Sequence, residues 1–74
     1  MISYAPLWVT LKNQGMSTYT LRQYKGFGGG TIQRLRQNLS VSTNTLDDLC
    51  KILKCPLSDV AIFIEDTEEL EIKK

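Results

Sequence analysis

A cluster of glycines constrains this chain more than any other feature of its sequence. Four of the six residues from 25 to 30, KGFGGG, are glycine, and the next eight, TIQRLRQN, alternate apolar and long polar side chains at helical spacing. Glycine loosens a chain and costs stability inside a helix, so its position directly before a helical pattern needs a reason. Three explanations fit: a loop that cradles phosphate, a turn that aims a helix at a partner, or a slack linker.

The phosphate-loop explanation fails on sequence context. A dinucleotide-binding loop requires G-x-G-x-x-G after a strand, whereas residues 26–31 read GFGGGT and follow a polar, helical pattern. A P-loop requires Gly-Lys followed by serine or threonine, which this stretch lacks. In the turn explanation, Gly26 supplies a left-handed backbone and Phe27 anchors the turn in the core. We expect one or two of the three following glycines to lie outside the helix, although glycines that merely permit the turn remain an alternative.

Composition bounds the fold and excludes several kinds of site. Seventy-four residues make one small domain with a modest core. The chain has two cysteines, Cys50 and Cys55, in no C-x-x-C pair, and no histidine, which excludes the common zinc sites. We expect both cysteines to act as small apolar side chains in a reducing, cytoplasmic compartment, and we expect no enzyme activity, metal or cofactor. The longest apolar run, residues 60–64, is too short to cross a membrane, and no signal-peptide pattern is visible.

Charge is distributed unevenly along the chain. Residues 1–54 carry seven lysines and arginines against two aspartates, a net charge of +5, whereas residues 55–74 carry two lysines against six acids, a net charge of −4. A basic body with an acidic tail favours a polyanionic partner for the body. We therefore expect a folded domain at residues 1–64 and an acidic, flexible tail at residues 65–74.

Start and stop signals predict five short helices with tight connections. Pro6 and Gly15 bracket the first helix, Ser17 and Gly26 bracket the second, and Pro56 ends the fourth. The expected spans are Pro6 to Gln14; Ser17 to Tyr24 or Lys25; Gly29 or Gly30 onward, carrying Leu39; a fourth helix capped by Ser42, Thr43 or Asn44; and a fifth over Asp59 to Ile62.

Periodicity indicates which side chains are buried. In the third helix Ile32, Leu35 and Leu39 recur at i, i+3 and i+7 and are expected to face the core, as is the aromatic ring of Trp8. Residues 62–64, Ile-Phe-Ile, are strand-like in composition and too apolar to remain in water. We expect them to pack on the first helix or to pair with a second subunit.

A helix, a short glycine turn and a second helix with an exposed polar face make the layout of a helix-turn-helix. Residues 17–39, STYTLRQYKGFGGGTIQRLRQNL, resemble the helix-turn-helix of XRE-type, lambda-repressor-like transcriptional regulators. The shared features are Ser17 and Thr18, Leu21, Gly26 followed by Phe27, Thr31 with Ile32, and Leu35. Flanking stretches ISYAPLW, GMS, VSTNTLDDLCKIL and CPLSDV also resemble small single-domain bacterial regulators, so the resemblance covers about residues 1–64.

This resemblance implies an all-α, compact five-helix domain that binds double-stranded operator DNA, as a homodimer on a palindrome, and acts as a repressor. Many relatives carry serine or glutamine where this chain has Gly28, Gly29 and Gly30. Recognition of DNA would therefore shift to the side chains that follow these glycines. The implied DNA-contacting residues are Thr18, Tyr19, Gly28, Gly29, Gly30, Thr31, Gln33, Arg34, Gln37, Asn38 and Ser40.

Alternatives remain open for the arginines and for the function. Arg34 occupies a base-contacting position in this family, where arginine can bind guanine through two hydrogen bonds, but a phosphate contact alone is the other option. Arg36 is expected to reach the DNA backbone or to pair with Asp47 or Asp48. The alternative function is a protein–protein interaction module on the same fold, antirepressor or antitoxin-like, with weak or no specific DNA binding.

Overall fold

The structure is a computed structural model that describes residues 1–72. Within that range the chain is predominantly helical, with four α-helices, one 3-10 turn and a pair of two-residue strands. In chain order these are β1 (Ile2–Ser3), α1 (Ala5–Asn13), α2 (Thr18–Arg22), α3 (Gly29–Arg36), α4 (Thr43–Leu53), the 3-10 turn (Leu57–Asp59) and β2 (Ile62–Phe63).

The first helix begins and ends as its sequence signals predict. Pro6 lies in the first turn of α1, where its missing N–H costs nothing. Gly15 adopts φ +70° after the last turn and donates its N–H to the Lys12 carbonyl, while Met16 N–H bonds the Leu11 carbonyl. These two bonds form a Schellman motif, which a glycine in the left-handed conformation closes without strain.

The turn between α2 and α3 places Gly26 and Phe27 as predicted. Gly26 has φ +92°, and Phe27 is 98% buried directly after it. Helix α2 ends at Arg22, however, so the predicted extension to Tyr24 or Lys25 is wrong. Those residues instead continue in turns, one of which Tyr24 N–H closes on the Leu21 carbonyl.

The end of α3 differs from the prediction, because Asn38 stops the helix before Leu39. Asn38 adopts φ +57°, a left-handed conformation that asparagine tolerates better than most residues. Its N–H bonds the Leu35 carbonyl, and Leu39 N–H bonds the Arg34 carbonyl, which makes a second Schellman motif. Leu39 is therefore beyond the helix and 42% exposed, not a core residue.

Helix α4 is capped at both ends. The Ser42 side chain accepts the Thr45 N–H, which confirms Ser42 among the predicted caps. Lys54 adopts a left-handed conformation after the last turn. Cys50 and Cys55 are both partly buried against the core, and burial raises the pKa of the Cys55 thiol.

The C-terminal part of the domain departs most from expectation. The fifth helix predicted at Asp59–Ile62 is replaced by the 3-10 turn, because Asp59 N–H bonds the Pro56 carbonyl in a three-residue step. Residues 62–63 form a strand that pairs antiparallel with β1, a partner in the same chain that was not predicted, and both side chains are exposed. Cross-strand neighbours are Ile2 with Phe63 and Ser3 with Ile62.

One core joins every helix. Its buried side chains are Tyr4, Leu7, Leu11, Leu21, Phe27, Ile32, Leu35, Leu49, Leu53 and Val60. Trp8 packs against this cluster but is only partly buried. Residues 65–72 are exposed and in no helix or strand, and the last two residues of the predicted tail, 73–74, lie outside the described range. No helix over residues 1–72 is long and apolar enough to cross a membrane.

Candidate nucleic-acid interface

The outward face of α3 is a polar stripe. With Ile32 and Leu35 buried, the helical repeat of 3.6 residues turns Gly30, Arg34 and Gln37 away from the core. Gln33 lies at one side of the same stripe and is exposed, as are the other three. Four of the sequence-predicted site residues therefore share one solvent-facing surface.

Three adjacent glycines, Gly28, Gly29 and Gly30, lie at the N-terminal end of this stripe. The fold of the protein does not require glycine at any of these positions. Gly28 is the N-cap with φ −73°, and Gly29 and Gly30 form the first helical turn. A methyl group built at any of the three meets no atom within 4 Å. One glycine of the three is outside the helix, as predicted, and the space in front of all three is open.

The start of α3 also presents backbone donors. The first intrahelical bond runs from Ile32 N–H to the Gly28 carbonyl, so the N–H groups of Gly29, Gly30 and Thr31 precede it. No side chain caps this end of the helix. Uncapped N–H groups together with the positive end of the helix dipole attract phosphate.

Arg34 is exposed, and one nitrogen of its guanidinium group is held by a hydrogen bond. Its Nε donates to the Ser40 carbonyl oxygen at 2.7 Å, across the turn that follows α3. Within residues 1–72 it forms no ion pair, so the terminal guanidinium nitrogens keep their donors for a ligand. The bond also brings Ser40, another predicted site residue, next to the polar stripe.

Arg36 lies on the other side of α3, where it ties the helix to its neighbours. Its guanidinium carbon is 5.6 Å from the centroid of the Trp8 ring, and one terminal nitrogen is 3.5 Å from the Thr18 Oγ1. The alternative pairing with Asp47 or Asp48 is wrong, because Arg36 forms no ion pair within residues 1–72, and Asp47 pairs with Lys51 at 2.8 Å. Arg36 thus places the start of α2 beside the end of α3.

The loop after α3 is anchored by a residue that sequence analysis missed. Tyr4 N–H donates to Asn38 Oδ1 at 2.9 Å, and the Tyr4 hydroxyl donates to the Leu39 carbonyl at 3.0 Å. The side-chain oxygen of Asn38 is therefore used to hold the loop. Tyr4 positions the segment that carries two predicted site residues, Asn38 and Ser40. No local signal marks this pairing, because the partners are 34 and 35 residues apart.

The remaining site residues lie around this surface. Thr31 Oγ1 donates to the Gly26 carbonyl at 3.2 Å, so its hydroxyl braces the turn before α3. Tyr19 is 73% exposed in the first turn of α2, next to the Thr18 that contacts Arg36. The structure thus groups Gly30, Gln33, Arg34, Gln37 and Ser40 around the outward stripe of α3, whereas Thr18 contacts Arg36 on the other side of that helix.

This region is positively charged. From residue 17 to residue 40 the chain carries Arg22, Lys25, Arg34 and Arg36 and no acid. None of the four forms an ion pair with any of residues 1–72. Within residues 1–72, no three cysteine, aspartate or glutamate side chains lie close enough together to hold a metal ion. The surface therefore suits a polyanion bound by hydrogen bonds and charge.

Comparison with known proteins agrees with this geometry. A family model described as a Cro/C1-type HTH DNA-binding domain matches residues 6–66. The crystal structure of the transcriptional regulator VanUg, form II, is similar with a TM-score of 0.80 and 29% sequence identity, over 88% of this chain and 87% of that one. No curated protein sequence matches significantly. The family model spans most of the chain and confirms the XRE-type resemblance: this protein belongs to the Cro/C1-type helix-turn-helix DNA-binding domains.

Proposed function

We propose that this protein is a sequence-specific transcriptional repressor that inserts α3 into the major groove of operator DNA. The observation that carries the proposal is the outward stripe of α3, open at its glycine end and bearing Arg34 and two glutamines. A helix of this width fits the major groove, where base edges carry a distinct pattern of donors and acceptors. The structural similarity to a transcriptional regulator supports the regulatory role.

In this proposal, backbone N–H groups bind phosphate and side chains of α3 bind base edges. The N–H groups of Gly29, Gly30 and Thr31 bind a phosphate, and the absence of side chains lets the DNA backbone approach closely. Arg34 and Gln37 then face base edges further along α3, and Arg34 is the residue assigned to guanine. Thr18, Tyr19 and Ser40 flank the helix and bind phosphates that fix its register.

A repressor of this kind blocks polymerase by occupying a promoter, and we place its work in the bacterial cytoplasm, where that DNA lies. We further propose a homodimer on a palindromic operator, because a single small domain makes few contacts and two-fold symmetry doubles them. Half-sites would then be centred about one helical turn, roughly 34–36 Å, apart.

Selection of bound DNA from a random pool tests the proposal directly. The full chain should enrich one palindromic motif, and binding to it should weaken steeply as salt rises, since each phosphate contact releases counterions. Arg34→Ala should relax the motif at one position of each half-site and cost about 1–3 kcal/mol there. Lys12→Ala removes one exposed charge from the last turn of α1, outside α2, α3 and the loop that follows α3, and serves as the control that leaves the motif unchanged.

Two outcomes would count against the proposal. A uniform loss of affinity in Arg34→Ala, with the motif intact, would leave Arg34 a phosphate contact only. Enrichment of no motif at low salt, together with tight binding to another protein, would favour the interaction-module alternative.

A further inference from the structure

A groove of about 470 Å³ lies between the α2–α3 turn and the end of α4. Its lining residues come from two stretches of the chain: Tyr24, Lys25 and Phe27 in the turn, and Asp48, Lys51, Ile52 and Lys54 in and directly after α4. We call it the lysine groove, because three of its seven lining residues are lysines. None of the seven is among the candidate DNA-contacting residues.

The floor of the lysine groove is apolar. Phe27 is almost fully buried, Ile52 is partly buried, and Tyr24 is 48% exposed. Such a floor offers a phosphate group no hydrogen-bond donor, but it can bury an aliphatic or aromatic side chain of a ligand. An occupant that fits the groove therefore carries at least one apolar side chain.

The rim of the groove is positively charged. Lys25 and Lys54 are exposed on opposite walls, and neither forms an ion pair within the described part of the chain. Lys51 pairs with Asp47 at 2.8 Å, and Asp48 is the one acid among the lining residues. The lining lysines thus outnumber the acid, which favours an anionic occupant.

Backbone hydrogen bonds hold both walls of the groove in place. In the turn, Tyr24 N–H bonds the Leu21 carbonyl at 3.0 Å, and Phe27 N–H bonds the Tyr24 carbonyl at 3.3 Å. On the other wall, Lys54 adopts a left-handed conformation and its N–H bonds the Cys50 carbonyl. A groove that is formed before its ligand arrives pays a smaller entropic cost on binding.

We propose that the lysine groove binds an acidic peptide segment of another protein, in which one or two apolar side chains lie among the carboxylates. The carboxylates pair with Lys25 and Lys54, and an apolar side chain packs against Tyr24 and Ile52. Charge complementarity selects an acidic segment, and the apolar floor favours a peptide over DNA, whose backbone presents charge without apolar side chains. Because the groove lies outside the candidate DNA-contacting set, peptide binding can be tested separately from the proposed function.

The test titrates three synthetic octapeptides into the full chain and follows the amide chemical shifts by NMR. Each peptide carries six glutamates and two leucines, and the leucines are two, three or four positions apart. At least one peptide should bind saturably, with a dissociation constant on the order of 100 µM, and should move the amides of Lys25, Phe27, Ile52 and Lys54 most. The same peptide with alanine in place of both leucines should bind at least about five-fold more weakly, because it buries less apolar surface.

Charge reversal on the rim separates the groove from general attraction to a basic protein. Lys25→Glu should weaken peptide binding at least about ten-fold, whereas Lys25→Arg keeps the charge and should bind as the wild type does. Lys12→Glu is the matched control, because Lys12 is also exposed but lies in the last turn of α1, outside the groove. Circular dichroism should show the native fold in all three variants.

Competition with DNA distinguishes a peptide site from a second nucleic-acid surface. The fluorescence anisotropy of the labelled peptide should not fall when an unlabelled DNA duplex is added in excess, and displacement of the peptide overturns the inference. So do the absence of saturable binding by all three peptides, full affinity of the alanine peptide, and equal losses in Lys25→Glu and Lys12→Glu. If the peptide binds as expected but the chain selects no DNA motif, the proposed function fails and the peptide site stands.

Discussion

The Oδ1 atom of Asn38 accepts the backbone N–H of Tyr4 at 2.9 Å, and so connects the end of the third helix to the start of the first. The same asparagine adopts φ +57° and closes the Schellman motif of α3. One residue thus ends the candidate recognition helix and orients the loop behind it. The first role depends on asparagine's tolerance of the left-handed conformation, and the second depends on its side-chain oxygen.

Replacing Asn38 should therefore destabilise the fold by two separable amounts. Asn38→Ala loses the bond to Tyr4 and places in the left-handed region a residue that tolerates it less well than asparagine, at a cost of about 2–3 kcal/mol in the free energy of unfolding. Asn38→Gly keeps the left-handed conformation and loses only the side-chain bond, at about 1 kcal/mol. Urea unfolding measures both, and equal losses in the two variants would contradict the assigned roles.

Gly30→Ala should raise stability and lower DNA affinity. Alanine meets no atom at this position, and replacing a helical glycine stabilises by up to about 1 kcal/mol. The added methyl group faces outward and holds the DNA backbone away from the N–H groups at the start of α3. Thermal unfolding and DNA titration on the same sample check the two effects.

Gly26→Ala is the matched control for that experiment. Gly26 has φ +92°, so alanine there should destabilise the fold by more than about 1 kcal/mol even though the site is equally open. Unchanged DNA affinity in Gly30→Ala would show that DNA does not use the open space at Gly30.

Arg36→Ala should expose the only tryptophan of the chain. The guanidinium group lies over the Trp8 ring, so its removal should shift Trp8 fluorescence to longer wavelength and lower stability by roughly 0.5–1 kcal/mol. Arg22→Ala removes the same charge from the end of α2 and should leave the emission unchanged. A wavelength shift in both variants would point to a loosened fold instead of a lost contact.

Local signals predicted most helix boundaries, and contacts distant in sequence account for the errors. Gly15, Gly26 and Ser42 act through their own backbone or an adjacent N–H, so their positions could be read from a few residues. The end of α3 could not be predicted in this way, because the position of Asn38 depends partly on its hydrogen bond to Tyr4. The pairing of Ile2 with Phe63 joins residues 61 apart in sequence, and the composition of residues 62–64 indicated a strand without naming its partner.

The candidate site shows the same division. Helical periodicity placed Gln33 and Arg34 on an exposed face, and the structure agrees. The partner of Arg36 was not predictable, because two flanking aspartates in α4 were as plausible by charge as an aromatic ring in α1. Whether the glycines were required by the turn was also undecidable from sequence, since that depends on the free space around each α-carbon.

Amide chemical shifts, recorded by NMR as the selected operator is added, test the central claim most directly. The account predicts that the largest changes fall on Gly29, Gly30 and Thr31 and along the stripe to Gln37, with smaller changes at Thr18 and Ser40. Amides of α1 around Lys12 should stay nearly fixed. Changes concentrated on α1 or on the end of α4, with the amides at the start of α3 unmoved, would contradict the assignment of α3 as the DNA-reading helix.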